Sequence, residues 1–185
     1  MISCLLSLRT KDTISLPVSL ALFEHAQTPQ ELLNISIDKL ENIIYKTGFF
    51  RQKAQTLHMV ARQLLDQFDG IVPQIEDELL LLKGVGRKTA NLVLGEAFGI
   101  PALCVDTHVH RISNRLGLVN SKTVEQTEQQ LQKVLPKQFW IEWNRLLVMW
   151  GQNICLPINP RCRVCPNSIF CLKRGVKNKN TKITI

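Results

Sequence analysis

Apolar residues recur along this chain at intervals of three and four rather than two, which predicts helices throughout and an all-α fold. No alternating runs are joined by a hairpin turn. Thr28-Pro29-Gln30-Glu31 has the form of a capping box with proline at the first helical position, opening a helix that carries Leu32 and Leu33. A second helix is expected from about Asp38 to Thr47, stopping at Gly48. The next places Ala54, Leu57, Val60, Ala61, Leu64, Leu65 and Phe68 on one buried stripe before Asp69-Gly70 ends it. Ile75 to Leu82 predicts a short helix. From Arg87 a further helix turns Ala90, Leu94, Ala97 and Phe98 inward and ends at Gly99, with Pro101 preventing its return.

After an extended Ala102-Leu103-Cys104-Val105-Asp106, a helix from Thr107 presents Val109, Ile112 and Leu116 and ends at Gly117. Thr123-Val124-Glu125-Gln126 is a second capping box, followed by helices through Leu135 and from Phe139 to Trp150. The domain boundary is expected near Ile100-Pro101, where a helix ends and the chain crosses extended.

Leu82-Lys83-Gly84-Val85-Gly86 joins two of these helices through a turn that needs residues without Cβ, so that the backbone bends tightly and approaches a partner closely. Its amides, with the following helix N-terminus, suit a phosphate. Such a helix-hairpin-helix grips a DNA backbone without reading its bases, and Arg87 extends the cationic surface. Lys88 admits two readings: one more phosphate contact, or a nucleophile whose neutral amine attacks a sugar carbon. Asp106 likewise reads as an N-cap or, if the chain folds back, as a carboxylate facing Lys88 across a cleft.

Charge and cysteine change the picture further. The 185 residues carry a formal +8, and Cys155 to Ile185 holds seven Lys or Arg with no Asp or Glu, so a polyanion is the expected partner, nucleic acid before membrane. No run has the length of a membrane span and no export signal is recognisable. Cys155, Cys162, Cys165 and Cys171 follow C-x6-C-x2-C-x5-C, a concentration of soft ligands that points to zinc or to an iron–sulfur site, the single short knuckle leaning toward a cluster. Between the first two, a loop stiffened by Pro157 and Pro160 presents Arg161 to a phosphate. Cys4 and Cys104, alone in apolar surroundings, read as core residues.

With these residues in view, the chain resembles the endonuclease III family of helix-hairpin-helix DNA glycosylases. LKGVGRKTANLVL resembles its hairpin and catalytic lysine, VDTHVHR the segment with its essential aspartate, and the cysteine spacing its [4Fe-4S] ligands. The resemblance implies a six-helix domain with the hairpin over residues 1–100. It implies an iron–sulfur domain with a basic C-terminal tail over 101–185, completed in the family by an N-terminal helix that this chain starts without. The implied enzyme is a bifunctional DNA glycosylase and AP lyase that removes oxidised pyrimidines from duplex DNA and nicks the strand by β-elimination, with Lys88 and Asp106 catalytic and Cys155, Cys162, Cys165 and Cys171 holding the cluster. Gly84, Val85, Gly86, Arg87 and Arg161 fall on the DNA-binding surface. Arg9 falls where many relatives place a glutamine that fills the space of the flipped base, and Phe49 falls on the wedge position, often leucine. The expected partner is double-stranded DNA with damaged pyrimidines or abasic sites, engaged by a monomer without a membrane. The location implied is cytoplasmic at the nucleoid in a prokaryote, and nuclear or organellar in a eukaryote. Rival readings are a mismatch glycosylase acting on T:G and a catalytically impaired DNA-binding fragment; Lys88 argues against an adenine-excising relative.

Overall fold

A computed structural model of the chain describes residues 1–176. Every regular element among them is helical: α1 (Ile2–Ser7), α2 (Asp12–Phe23), α3 (Pro29–Asn34), α4 (Ile37–Ile44), α5 (Phe50–Phe68), α6 (Glu76–Leu81), α7 (Arg87–Phe98), α8 (Thr107–Leu116), α9 (Val124–Val134) and α10 (Trp140–Asn153), with short 3-10 turns. The all-α expectation holds for these residues. Lys177, Lys179 and Lys182 of the expected basic tail lie outside them.

Contacts divide the chain into two compact units, Met1–Phe98 and Gly99–Ile185. In the first, α5 packs against α1, α3 and α4, and α7 packs against α1 and α6. The stripe on α5 supplies this core: Ala54, Leu57, Val60, Ala61 and Leu64 are buried, whereas Leu65 and Phe68 are only half-buried as the helix runs past it. The capping box at Thr28 forms in full, Thr28 Oγ1 accepting from the Glu31 amide and Glu31 accepting from the amides of Thr28 and Gln27. Those bonds satisfy donors that a helix start leaves orphaned and hold the Glu31 carboxyl below its usual pKa.

Other local expectations change. α4 ends at Ile44 rather than Thr47, because the Thr47 amide and hydroxyl both donate to the Ile44 carbonyl and close the chain into a turn. On α7 the inward face is Ala90, Val93 and Leu94; Ala97 is exposed, its last turn projecting beyond the core before Gly99 (φ 65°) ends the helix. Cys4 is half-buried, not core, although Cys104 is buried.

The second unit centres on Leu103, Val105, Val109, Ile112, Val119, Leu131 and Leu147, with Trp140, Trp143 and Trp150 packed around them. α8 lies against α9 and α10, and Gly117 ends it in left-handed backbone (φ 87°). The second capping box is only half closed: Thr123 accepts from the Gln126 amide, but the Gln126 side chain accepts from Lys122 one residue earlier than the reciprocal bond requires.

Candidate functional site

The glycine turn sits between α6 and α7. Leu82 and Val85 are buried and anchor it, the Val85 amide donating to the Leu82 carbonyl. Gly84 has φ 79°, and a Cβ there would stand 2.7 Å from Thr56 Cγ2, so glycine is required both for the bend and for the approach to α5. Gln63, two turns further along α5, also braces the turn, donating to the Leu81 carbonyl and accepting from the Lys83 amide at 2.7 Å. Gly86 has open space where a Cβ would be. Arg87 and Lys88 follow at exposed positions in the first turn of α7, and Arg87 Nε lies 3.8 Å from the buried Oε1 of the half-buried Glu76, beyond hydrogen-bond distance. Burial pushes the Cys4 thiol up in pKa, with the N-terminal ammonium partly offsetting it.

Asp106 is the N-cap of α8. Its Oδ1 accepts from the amides of His108 (2.8 Å) and Val109 (2.9 Å), which leaves Oδ2 outside the cap. A half-buried carboxylate fixed through one oxygen keeps the other for a second task. Both readings of Asp106 are therefore compatible, and the capping one is present in the structure.

The four C-terminal cysteines line a single cavity of about 360 Å³, counted with its open mouth, together with Ile112, Arg115 and Trp150. Among the described residues no three His, Cys, Asp or Glu side chains are grouped to hold a metal ion. The thiols stand around a shared space instead of converging on one point. Burial raises the pKa of Cys171, and the nearby Cys155 and Cys165 add to the effect. Arg161 is exposed at the start of the 3-10 turn Cys162–Val164, its amide donating to the Ile154 carbonyl.

Arg9 and Phe49 are both exposed, and both adopt left-handed backbone, φ 52° and 58°. They meet: the Arg9 guanidinium carbon lies 5.4 Å from the centroid of the Phe49 ring.

Sequence reasoning missed Arg111 and Arg115, which project from α8 onto the cysteine loop. Arg115, buried, donates to Cys155 Sγ (3.3 Å) and to the carbonyls of Leu156 (2.7 Å) and Pro157 (2.8 Å). Its own carbonyl accepts from the Cys171 thiol. Arg111 donates to the Cys155 and Gly151 carbonyls, and burial first, then the charge of Arg115, lowers its pKa. The available signal was an arginine pair four apart beside Ile112 and Leu116, on a face that helical periodicity marks as buried.

Comparison with known proteins agrees with this geometry. Residues 2–137 match the HhH-GPD superfamily of base excision DNA repair proteins. Endonuclease III of Thermotoga maritima is 48% identical over 89% of this chain and 78% of its own length. A trapped endonuclease III–DNA covalent intermediate, an estranged-adenine complex, superposes with a TM-score of 0.87 at 37% identity, over 93% of this chain and 81% of that one. A thermostable thymine-DNA glycosylase gives 0.83 at 25% identity, over 92% and 80%. The chain thus belongs to the HhH-GPD superfamily, within its endonuclease III family, and is a DNA glycosylase of base excision repair.

Proposed function

We propose that this glycosylase removes oxidised pyrimidines from duplex DNA and then cleaves the strand at the abasic site. The observation that carries the reading is an exposed lysine in the first turn of the helix that leaves the glycine turn. Backbone amides there would take a phosphate while Lys88, two residues past Gly86, remains close to the sugar. The damaged nucleotide must leave the stack first, because C1′ is unreachable inside a duplex.

The neutral amine of Lys88 forms a bond to C1′ as the glycosidic bond breaks, and the base departs with the bonding electrons and takes up a proton. Asp106, with Oδ2 outside the helix cap, would stabilise positive charge on the sugar. With one proton lost from Nζ, the nitrogen lone pair expels O4′, which takes up a proton, and the sugar opens to an iminium; removal of a C2′ proton then expels the 3′ phosphate. Arg87 and Arg161 hold the flanking backbone.

Cys155, Cys162, Cys165 and Cys171 would hold a [4Fe-4S] cluster. Four thiols lining one cavity, with only a single short C-x2-C knuckle among them, fit a polyatomic cluster better than a single zinc. When bound, the cluster supplies iron–thiolate bonds that crosslink the loop carrying Arg161. The oxidised-pyrimidine reading is favoured over T:G repair by the higher identity to endonuclease III than to the thymine-DNA glycosylase. Strand nicking on thymine-glycol, T:G and abasic duplexes tests it. Cleavage of the first and third is expected, and a preference for T:G over thymine glycol would overturn the substrate assignment.

A further inference from the structure

Arg9 and Phe49 hold backbone conformations that residues with a Cβ adopt rarely unless their surroundings impose them. The surroundings that do so are visible. Gly48 brings its backbone against the Arg9 carbonyl, where a Cβ would stand only 2.8 Å from that oxygen. Thr10 Oγ1 accepts from the Gly48 amide at 3.1 Å, tying the residue after Arg9 to the residue before Phe49.

Lys53 completes the brace. It lies on α5 one turn beyond Phe49, its amide donating to the Phe49 carbonyl. Its Nζ reaches back to donate to Thr10 Oγ1 at 2.9 Å and to the Leu6 carbonyl at 2.7 Å. The Leu6 carbonyl belongs to the last turn of α1, where acceptors are orphaned and a cation is favourable. Burial lowers the Lys53 pKa, and among the described residues no carboxylate pairs with it. Its donors are therefore directed to the segment that carries Arg9.

We propose that Lys53, acting through Thr10, is a positioning residue that holds Arg9 and Phe49 as one preassembled wedge for the base left unpaired when the damaged nucleotide flips out. This rests on the proposed function above. The two parts divide the work: the ring stacks on any base and sets the depth of insertion, while the guanidinium donates to acceptors that differ from base to base. Lys53 keeps the second part registered on the first.

The test measures affinity for duplexes carrying a tetrahydrofuran abasic analogue opposite A, C, G or T. Wild type is expected to spread over about fivefold or more among the four. Arg9→Ala flattens the spread, and Phe49→Ala weakens all four alike. Lys53→Met flattens the spread as Arg9→Ala does and adds no further flattening in the double variant, whereas Lys53→Arg restores it. Thr10→Val, which keeps the shape of the side chain and leaves the bond from Lys53 to Leu6, flattens it as well. A Lys53→Met protein that loses affinity equally for all four duplexes with the spread intact would overturn the proposal, as would a wild type without any spread. Wild-type nicking of a true abasic duplex is scored separately; its failure overturns the lyase reading and leaves the binding result to stand by itself.

Discussion

The glycine turn of the first unit and the cysteine loop of the second both present arginines at exposed positions, yet they keep their shape by opposite means. The turn is held by ordinary packing: Leu82 and Val85 are buried, Gln63 braces two backbone groups, and Gly84 fits against Thr56. The loop from Ile154 to Val176 has only 3-10 turns, and Ile158, Val164, Ile169 and Phe170 are each at least 69% exposed. Arg115 ties it to α8, and under the proposed function a cluster on the four thiols that line one cavity would crosslink it. A segment that buries so little apolar surface needs a crosslink to offset its chain entropy, whereas the turn does not.

The largest expected effect breaks the loop. Cys165→Ser should abolish absorbance near roughly 400 nm from thiolate–iron charge transfer and speed amide hydrogen exchange across residues 154–176 by orders of magnitude. Exchange in α6 and α7 should stay unchanged; equal acceleration there would erase the contrast between the two regions. Arg115→Met comes next. It strips a buried guanidinium from three acceptors, at about 2–4 kcal/mol, read as a lower denaturation midpoint of the second unit and faster loss of iron to a chelator. A midpoint equal to wild type would mean that the thiols alone order the loop.

Smaller effects sharpen the other side. Gly84→Ala forces a Cβ into left-handed backbone and onto Thr56, costing about 1–3 kcal/mol and weakening DNA binding through a displaced turn. Gly86→Ala, with ordinary φ and open space, should shift the midpoint by less than about 0.5 kcal/mol. Comparing the two by thermal melting and by affinity for an abasic duplex distinguishes a requirement for the bend from one for any glycine. Equal losses would contradict the local geometry described for the turn.

What the sequence made legible was local chemistry. The Thr28 capping box, the α5 stripe and the ends at Asp69-Gly70 and Gly117 are each written within a few residues, and each forms. The α4 ending was not legible because the Thr47 hydroxyl competes for a carbonyl that the helical pattern leaves available. Ala97 obeys the helical period yet meets solvent, since periodicity cannot say where the core stops. Arg115 and Lys53 escaped for a different reason: the helical period puts Arg115 on a buried face, but the acceptors of both lie some forty residues away and no local pattern names them. Lys88, Asp106 and the cysteines were found through motif and resemblance. The sequence already set Lys88 at the start of a helix and offered Asp106 as an N-cap, as found on α7 and α8; the cavity shared by the cysteines came from the structure.

Under the proposed function, Lys88 makes the covalent bond to the sugar. Borohydride added while the enzyme acts on a thymine-glycol duplex reduces an imine to a stable amine, so wild type is expected to yield a protein–DNA adduct whose DNA-linked peptide contains Lys88. The adduct should be absent from Lys88→Ala, which should still bind an abasic-analogue duplex. An adduct that persists in Lys88→Ala, or that maps to the N-terminal amine in wild type, would contradict the assignment.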